Sequence, residues 1–434
     1  MPPPAWIGCG IALILLAVSL HLRKRQRLLR DLPTSKVRGV FIGLVEVAGT
    51  AESAAPFTGF LSGKLCVHYS YDVEERWSRT VTETYQENGK TRTRTRRESG
   101  WTSVADGGQS APFYLRDDTG ALLIRPKGAK LEPVTLFEET VSRGHPLYYH
   151  KGPPHAVGHS DHVRRFVERG LPLHQPLYVV GQARERDDIV APEIAQDKTA
   201  PLFLISTRTE KSVQSGYAGW SWFCWVLGLV PLVVGAAVYS RDARDTGQLL
   251  ALAAGLYLVL WGLGWVWMVF NSLVGLRHRV RQAWSLIDVQ LKRRHDLLPG
   301  LVTAVSALSA HEQSVQTALA ELRTQATATK PGTKGPDFDG VAGSLRAVIE
   351  AYPQLTAQPA FTRLHEELVE TEERIALARA YYNDIATYFA TRLEQVPDRF
   401  VARLGGMKPE PLLSATHFER APVDISLTPQ PPPA

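Results

Sequence analysis

The chain has 434 residues, of which 44% are hydrophobic, 49 are Lys or Arg and 43 are Asp or Glu. This length leaves room for roughly two or three domains with cores of their own. The net charge of +6 is too small to choose between an anionic membrane surface and nucleic acid as a partner. Two of the three cysteines, Cys9 and Cys224, lie in apolar runs, which excludes a disulfide framework and a cysteine zinc site.

Three apolar runs, residues 6–22, 220–239 and 249–270, predict membrane-spanning helices, since each approaches the ~20 residues that cross a hydrocarbon core. The start MPPPAW lacks the basic region of a cleaved signal peptide, so the first run is predicted to stay as an anchor. The second and third runs are joined by the short turn SRDARDTGQ and predict a transmembrane helical hairpin.

Charge predicts the topology. Lys and Arg are frequent just after Leu22 and just after Phe270, whereas the turn between the second and third runs balances two Arg with two Asp. The positive-inside rule then predicts an N-terminus outside. The localisation that we expect is the bacterial inner membrane, as a multi-pass protein. Both soluble parts are predicted to be cytoplasmic.

Residues 36–215 predict a β-rich domain, because short apolar or alternating blocks such as VRGVFIGLVEVAG and PLYVVGQA are separated by Gly, Pro and Asp. Asn88-Gly89 and Asp118-Thr119-Gly120 supply turns. The stretch HSDHVRRFVERGLPL predicts an amphipathic helix. Two interpretations of KTRTRTRRESG stay open, a solvated hairpin of alternating charge and a contact with phosphates.

This region resembles the GIDE-type domain of membrane-anchored ubiquitin ligases over about 180 residues. The blocks VRGVFIGLVEVAG, GKLCVHYSYDVEE, PFYLRDDTGALLIRP and RRFVERGLPLHQPLYVVGQA carry the resemblance. In that family ubiquitin transfer depends on a RING domain with Cys and His zinc ligands after the membrane segment. This chain has no cysteine after Cys224, so ligase activity is not expected.

The segment GHPLYYHKGPPHAVGHSDH holds five histidines between His145 and His162. His155, His159 and His162 are the candidate metal ligands, because His159 and His162 could share one helical face. Against a metal site, Pro153 and Pro154 interrupt the segment and neither a Cys nor a carboxylate completes a known spacing. The alternative is a surface loop without a ligand. We therefore expect no cofactor.

Residues 271–420 predict an all-α antiparallel bundle, because apolar residues recur every three or four positions from Leu273 to Leu308 and again from Leu364 to Val396. Pro299 predicts a kink or a change of helix. Residues 421–434 form a Pro-rich tail.

The first of these helices carries six Lys or Arg against one acid between Arg277 and Arg294. Three uses stay open: ion pairs with the acidic stretch EELVETEER across the bundle, contact with lipid headgroups or a partner, and nucleic-acid binding. The candidates for headgroup or partner contact are Arg277, Arg279 and Arg281. Nucleic acid is the least favoured partner, since base-stacking aromatic residues do not accompany the charge.

The same residues resemble the LemA family. NSLVGLRHRV, AWSLIDVQLKRRHDLLPGLV, EAYPQL, ELVETEERIALARAYYND and LGGMKPEPLL fall in family order and cover nearly all of 271–420. The resemblance implies a membrane-tethered helical bundle whose biochemical activity is unestablished. The residues that match the family motifs, all of them expected to be structural, are Trp284, Asp288, Gln290, Arg293, Arg294, Asp296, Tyr382 and Asn383.

The predicted fold class is thus a multi-domain membrane protein with a β-rich (α+β) GIDE-like domain, a transmembrane hairpin and an all-α LemA-like bundle. The favoured function is a non-enzymatic scaffold or sensor that binds anionic inner-leaflet lipids or a cytosolic protein from one membrane face. The alternatives are a membrane-bound metal-dependent hydrolase that uses the His145–His162 cluster, and a nucleic-acid-binding protein. Self-association stays open.

Overall fold

The computed structural model describes residues 3–87, 90–186, 191–198, 200, 202–239, 243–308 and 359–413. The chain divides into two compact units, a β-rich unit (Thr34–Tyr217) and a helical unit formed by Met1–Pro33 together with Ala218–Ala434. The fold is therefore mixed α+β with two units, and the predicted division into domain, hairpin and separate bundle is wrong.

The strands of the β-rich unit are joined by short turns and by two short helical segments, a 3-10 turn at Val37–Gly39 and helix α2 at Leu147–His150. The strands are β1 (Thr34–Ser35), β2 (Gly43–Glu52), β3 (Phe57–Thr58), β4 (Leu65–Glu87), β5 (Lys90–Ser110), β6 (Phe113–Arg116), β7 (Ala121–Ile124), β8 (Lys130–Glu132), β9 (Val134–Ser142), β10 (Ser160–Pro172), β11 (Pro176–Glu185), β12 (Pro192–Ala195) and β13 (Leu204–Ser206).

One sheet runs in the order β1-β2-β6-β7-β12-β11-β13-β8, and β2 also pairs with β11. The strands β2, β6, β7, β12 and β11 therefore close into a small barrel. Its interior follows the period-2 pattern of the sequence, since Val45 and Val47 of β2 meet Phe113 of β6 and Val179 of β11 in one core. The predicted turn at 118–120 is confirmed, because Asp117 Oδ1 accepts hydrogen bonds from the backbone of Thr119 and Gly120.

The other sheet has the order β3-β4-β10-β9, and β5 pairs with β4. In the described pairings β10 follows β4 only as far as Trp77, whereas β5 follows it to Glu87. Residues 78–87 and 90–99 therefore form a two-stranded ribbon that projects from the sheet. The predicted turn residues Asn88 and Gly89 lie outside the described residues.

The stretch predicted as an amphipathic helix is strand β10, so that prediction is wrong. Its buried residues alternate as Arg164, Phe166, Glu168 and Gly170, the period of a strand. The alternation is hard to see in the sequence because two of its inward side chains are charged. Each charge has hydrogen-bond partners inside the unit, which makes its burial tolerable.

Among the described residues, three helices are long and apolar enough to cross a membrane, at Ile7–Arg30, Glu210–Gly235 and Leu250–Leu297. The bounds of the helices are α1 (Pro3–Arg30), α3 (Glu210–Leu227), α4 (Leu229–Tyr239), α5 (Ala243–Leu308), α6 (Pro359–Glu394) and α7 (Asp398–Leu404).

The prediction that the second and third runs form a helical hairpin by themselves is wrong. The second run is two helices, α3 and α4, because Pro231 in the first turn of α4 cannot continue α3: it lacks an N–H and its ring clashes with the carbonyl four residues earlier. The first run then completes the cluster, since α1 packs along both α4 and α5. Ala12 and Leu16 of α1 share a core with Tyr257 of α5.

The prediction of a helical bundle separate from the membrane helices is also wrong. Helix α5 runs without a break from the third membrane span through Arg277 and Pro299 to Leu308, so no change of helix occurs at Pro299. Helix α6 lies antiparallel to it, as the pairs Trp284–Tyr382 and Arg294–Glu372 require. The helix predicted around FDGVAGSLRAVIEAY and the Pro-rich tail 421–434 lie outside the described residues.

Candidate functional site

A buried cluster of charges joins the ends of the helices where α1 leaves its apolar run. The Arg392 guanidinium contacts the carboxylates of both Asp31 and Asp398, and all three side chains are almost completely buried. Arg27 also holds Asp398, with Nη1 donating to Oδ2 over 3.0 Å. Ser272 Oγ donates to Asp31 Oδ2 over 2.6 Å. We call these five residues the charge cluster.

The charge cluster connects four elements: α1 with the residue that follows it, α5, the last turns of α6, and α7. Two arginines and two aspartates balance one another, so the cluster holds no uncompensated charge. Sequence reasoning missed it, because Asp31 and Asp398 are separated by most of the chain. The one available signal was an Asp directly after a basic run that follows a membrane segment.

The predicted headgroup candidates on α5 separate into two groups. Arg277 and Arg281 are exposed and lie four residues apart, on one face of the helix. Arg279 turns the other way, and its Nη1 donates to the backbone oxygen of Asp31 over 3.1 Å. Arg279 thus belongs to the surroundings of the charge cluster, while Arg277 and Arg281 stay available to an anionic surface.

The predicted pairing with EELVETEER includes Arg294, farther along α5. Arg294 is buried and its Nη1 lies 3.2 Å from Glu372 Oε1 on α6. Lys292 is exposed and Arg293 is half-buried. The basic character of this helix is therefore used in part for packing and in part left at the surface.

The family-motif residues gather along the contact between α5 and α6. The rings of Trp284 and Tyr382 meet edge to face with centroids 5.8 Å apart. Gln290 is buried and its Oε1 has no hydrogen-bond partner among the described residues. Asp288 is half-buried and Asp296 is exposed.

Tyr382 and Asn383 hold the segment that follows α7. Tyr382 donates its hydroxyl to Pro411 O over 2.9 Å. Asn383 makes two hydrogen bonds with Leu413: Nδ2 donates to Leu413 O, and Oδ1 accepts from Leu413 N, both over 2.8 Å. This pair copies the pattern of a backbone ladder, so it needs an amide and not a carboxylate. The chain thus returns along α6 after α7.

The histidine segment of the β-rich unit is organised by a buried ion pair. Arg164 and Glu75 are fully buried, with Arg164 Nη2 3.0 Å from Glu75 Oε2. Arg164 also donates to the backbone oxygens of Tyr148, Pro153 and His155. Burial raises the pKa of Glu75, but hydrogen bonds from Ser160, Tyr148 and Arg164 outweigh it and lower that pKa overall.

The structure places the metal candidates on different parts of this segment. His155 and His159 are exposed, and His162 is half-buried with an Nδ1 that has no partner among the described residues. His159 and His162 adopt left-handed backbone conformations, with φ of 57° and 55°. Among the described residues, no three His, Cys, Asp or Glu side chains come together as metal ligands.

Among the described residues, the hydrogen bonds to the Glu46 carboxylate in the barrel come from neutral side chains. Glu46 on β2 is fully buried and accepts hydrogen bonds from Thr34 Oγ1 over 2.7 Å and from Tyr178 OH over 2.6 Å. Burial raises the pKa of Glu46 to about 7, although the two hydrogen bonds act in the opposite direction. This carboxyl group changes charge near neutral pH.

The projecting ribbon carries the alternating Thr and Arg. Arg94 and Arg96 are exposed. Glu98 lies 2.9 Å from Arg79 and 3.7 Å from Arg96, so part of the positive charge is paired within the ribbon. This favours the solvated hairpin over a dedicated phosphate site.

Comparison with known proteins finds a matching family model for each of two regions of the chain. The LemA family model matches residues 283–427, and the GIDE model, described as E3 ubiquitin ligase, matches residues 81–237. Protein LemA of Metamycoplasma hominis is 24% identical over 161 residues, which are 36% of this chain and 74% of that protein. Magnetosome proteins MamQ 1 and MamQ 2 of Paramagnetospirillum magneticum are each 25% identical over 197 residues, 38% of this chain and 70% of theirs.

No solved structure matches the chain at a significant level. The two resemblances drawn from sequence motifs are confirmed by the family models. With three apolar helices among the described residues, the chain is a membrane protein in which residues 283–427 match the LemA family model and residues 81–237 match the GIDE model.

Proposed function

We propose that this chain is a membrane-anchored, non-enzymatic scaffold or sensor that keeps its GIDE and LemA regions on the same, cytoplasmic face of a bacterial inner membrane. The main support for the proposal is the way in which the membrane helices are aligned with one another. Ser19 and Ser221 exchange hydrogen bonds between α1 and α3 over 2.8 and 3.0 Å. Asp31 meets Ser272 at the same end of α1.

These contacts support a common side for both soluble parts. The chain leaves the helical unit just after Asp31 and re-enters it at 218, next to Ser221. Helix α5 passes Ser272 on its way out of the third span. The opposite ends meet as well, because Gly8 near the start of α1 lies against Pro231 and Gly235 of α4. The three points at which the membrane helices join the soluble parts therefore lie at the same end of the helical unit.

The LemA region is also continuous with a membrane helix, as a rigid stalk would be. Because α5 is one helix from the membrane to Leu308, its soluble part cannot swing freely at residue 271. The charge cluster fastens α6 and α7 to the same place. A rigid pair of helices at a fixed membrane position suits the presentation of a binding surface, and the pairing of two regions in one chain raises their effective concentration for a common partner.

The proposed partners are anionic inner-leaflet lipids and a cytosolic protein. Arg277 lies seven residues after Phe270, about 10 Å along the helix at 1.5 Å per residue. An extended arginine reaches headgroups from that distance. Arg281, one turn farther, extends the same basic face.

Thiol accessibility tests the proposal. Single cysteines are introduced as Thr84→Cys on the ribbon, Val289→Cys on α5 and Gln248→Cys near the start of α5, in a chain with Cys9, Cys66 and Cys224 changed to Ser. All three positions are exposed. A membrane-impermeant maleimide is expected to label Gln248→Cys in intact cells, and the other two only after lysis. Labelling of Thr84→Cys in intact cells would contradict the proposal.

A further inference from the structure

Three large apolar side chains are exposed after α6 ends, two of them on α7 and one just before it. Val396, Phe400 and Leu404 are 70%, 59% and 87% exposed. They are spaced four residues apart, so Phe400 and Leu404 lie on one face of the helix, with Val396 just before it. In water such an apolar edge at the tip of a charged helix pair would be costly to leave uncovered.

The opposite face of α7 is already packed, and what it packs against is the last part of the third membrane span. Val401 and Ala402 are buried in one cluster with Val269 and Leu273 of α5, and Trp265 lies against the cluster. Gly405 continues the contact, since a Cβ there would lie 3.0 Å from Phe270. Residues 265–270 belong to a helix that is long and apolar enough to cross a membrane. Helix α7 is therefore at the level of the bilayer surface.

The α5 surface at that level is exposed and apolar. Trp267 is 69% exposed, and Leu263, Val266 and Phe270 are exposed as well. In a membrane these side chains meet acyl chains and the headgroup boundary, where Trp is favoured. The apolar edge of α7 thus continues the exposed apolar surface of the third span.

The remaining side of α7 is basic. Arg399 and Arg403 are exposed and lie between the packed face and the apolar edge. Long basic side chains beside an apolar edge are typical of helices that lie in the membrane interface, since the charged ends reach headgroups while the apolar side chains enter the acyl region. Asp398, the acidic residue of the helix, is held in the charge cluster.

We propose that α7 is an interfacial anchor: the edge Val396–Phe400–Leu404 inserts into the leaflet beside the third span, and its partner is the lipid bilayer itself. The chain reaches the membrane along α6, inserts α7, and returns along α6, where Tyr382 and Asn383 hold Pro411 and Leu413. The LemA region is then attached to the membrane twice at the same end of its helix pair, once by the span that leads into α5 and once by α7.

Depth-dependent fluorescence quenching tests the anchor in the full chain. Leu404→Cys, in the background without other cysteines, is labelled with an environment-sensitive fluorophore and reconstituted in vesicles of phosphatidylglycerol and phosphatidylcholine. The matched control is Leu412→Cys, which replaces the same residue type at a 58% exposed position on the returning segment. Nitroxide groups near the top of the acyl chains are expected to quench the label at 404 several-fold more than at 412. Aqueous iodide is expected to show the reverse order.

Two outcomes would overturn the proposal. Equal access of iodide to 404 and 412 would mean that α7 lies in water. Protection of 404 from both quenchers, with a disulfide between two copies of Leu404→Cys, would mean that a second copy covers the edge. A label that inserted through its own hydrophobicity would respond alike at both positions, so the difference is the readout. If Leu404→Cys fails to fold, Phe400→Cys reports on the same edge. The depth of the label in the bilayer does not depend on which side of the membrane the soluble parts occupy. This test can therefore fail while the proposed topology holds.

Discussion

Arg392 Nη1 donates a hydrogen bond to Asp31 Oδ1 although the two residues are 361 positions apart in the chain. Through Asp398 and Arg27 the same guanidinium joins the ends of α1, α6 and α7 in one buried charge cluster. Because an ion removed from water is tolerated only with its partners in place, these elements have to assemble together.

Loss of the guanidinium should be the most damaging single change in the charge cluster. Arg392→Gln leaves Asp31 without its cationic partner while buried, and removal of one partner of a buried pair costs about 3–5 kcal/mol. Asp31→Asn should cost less, because Arg392 keeps Asp398 and an amide oxygen can still accept a hydrogen bond. Thermal unfolding of the purified protein measures both. Arg363→Gln is the control, since its pair with Glu367 is exposed and worth about 0.5 kcal/mol or less; an equal effect of the two arginines would refute the idea.

Glu46 makes the barrel sensitive to pH. Its folded pKa of about 7 lies above the ordinary 4.5, so the fold favours the neutral form. The stability that this provides is complete below about pH 4.5 and is lost as pH rises through about 7. The shift corresponds to a change on the order of 3 kcal/mol. Glu46→Gln should flatten the dependence.

Hydrogen exchange of the amides in β2 and β11, compared between wild type and variant at each pH, measures this effect. Glu83→Gln is the control, because Glu83 is exposed on the ribbon. A wild-type profile parallel to that of Glu46→Gln between pH 4.5 and 8 would show that this carboxyl group does not titrate in that range.

Arg164 should be irreplaceable by lysine. Its planar guanidinium group contacts Glu75 and three backbone oxygens of the histidine segment. A single ammonium group cannot reach all four at once. Arg164→Lys is expected to increase cleavage by trypsin at Lys151 at least several-fold. Arg165→Lys is a matched control, since the neighbouring Arg165 pairs with Glu74 at a partly exposed site. Equal protection of Lys151 in the two variants would argue against this role for Arg164.

Asn383 should hold the returning segment through its amide. Asn383→Asp removes the donor to Leu413 O and sets a carboxylate against that oxygen, so the segment 407–413 should detach from α6. Faster hydrogen exchange of the backbone amides in this segment, including Leu413 N–H, is the expected result. Thr387→Ala, an exposed position one turn further along α6, should leave the exchange rate unchanged. Wild-type exchange in Asn383→Asp would show that Tyr382 alone suffices.

The exposed arginines of α5 should attract anionic lipid. Each basic residue near the membrane surface contributes about 1 kcal/mol, so Arg277→Gln with Arg281→Gln should lower the preference for spin-labelled phosphatidylglycerol over phosphatidylcholine several-fold at low salt. High salt should remove the difference between wild type and variant. Arg279→Gln should act on stability instead, since this side chain holds the backbone of Asp31. An unchanged preference in the double variant would exclude headgroup contact at these positions.

Sequence patterns were sufficient to predict the features that depend on neighbouring residues. Three apolar runs of membrane-crossing length, the turn at Asp117–Gly120 and the alternation in β2 and β11 are properties of neighbouring residues, and the structure contains all of them. The family motifs likewise lie in short blocks of sequence, which is why both resemblances are visible in the sequence.

Other features depended on residues far apart in the chain. Strand β10 resembled a helix because Arg164 and Glu168 face inward, and only their partners Glu75, Leu61 and Ser62 make that burial tolerable. The hairpin and the separate bundle were predicted from runs taken one at a time, whereas α1 packs on α4 and α5 continues through the supposed boundary.

By itself the sequence determined that this is a membrane protein with a β-rich region and a helical LemA region, because hydrophobic periodicity and motif order reside in adjacent residues. Only the tertiary structure decided which charges are buried together at the membrane end, which arginines of α5 remain exposed, and which face of α7 is left to lipid. Each of these depends on what covers a side chain, and the covering residues come from segments that the sequence separates by hundreds of positions.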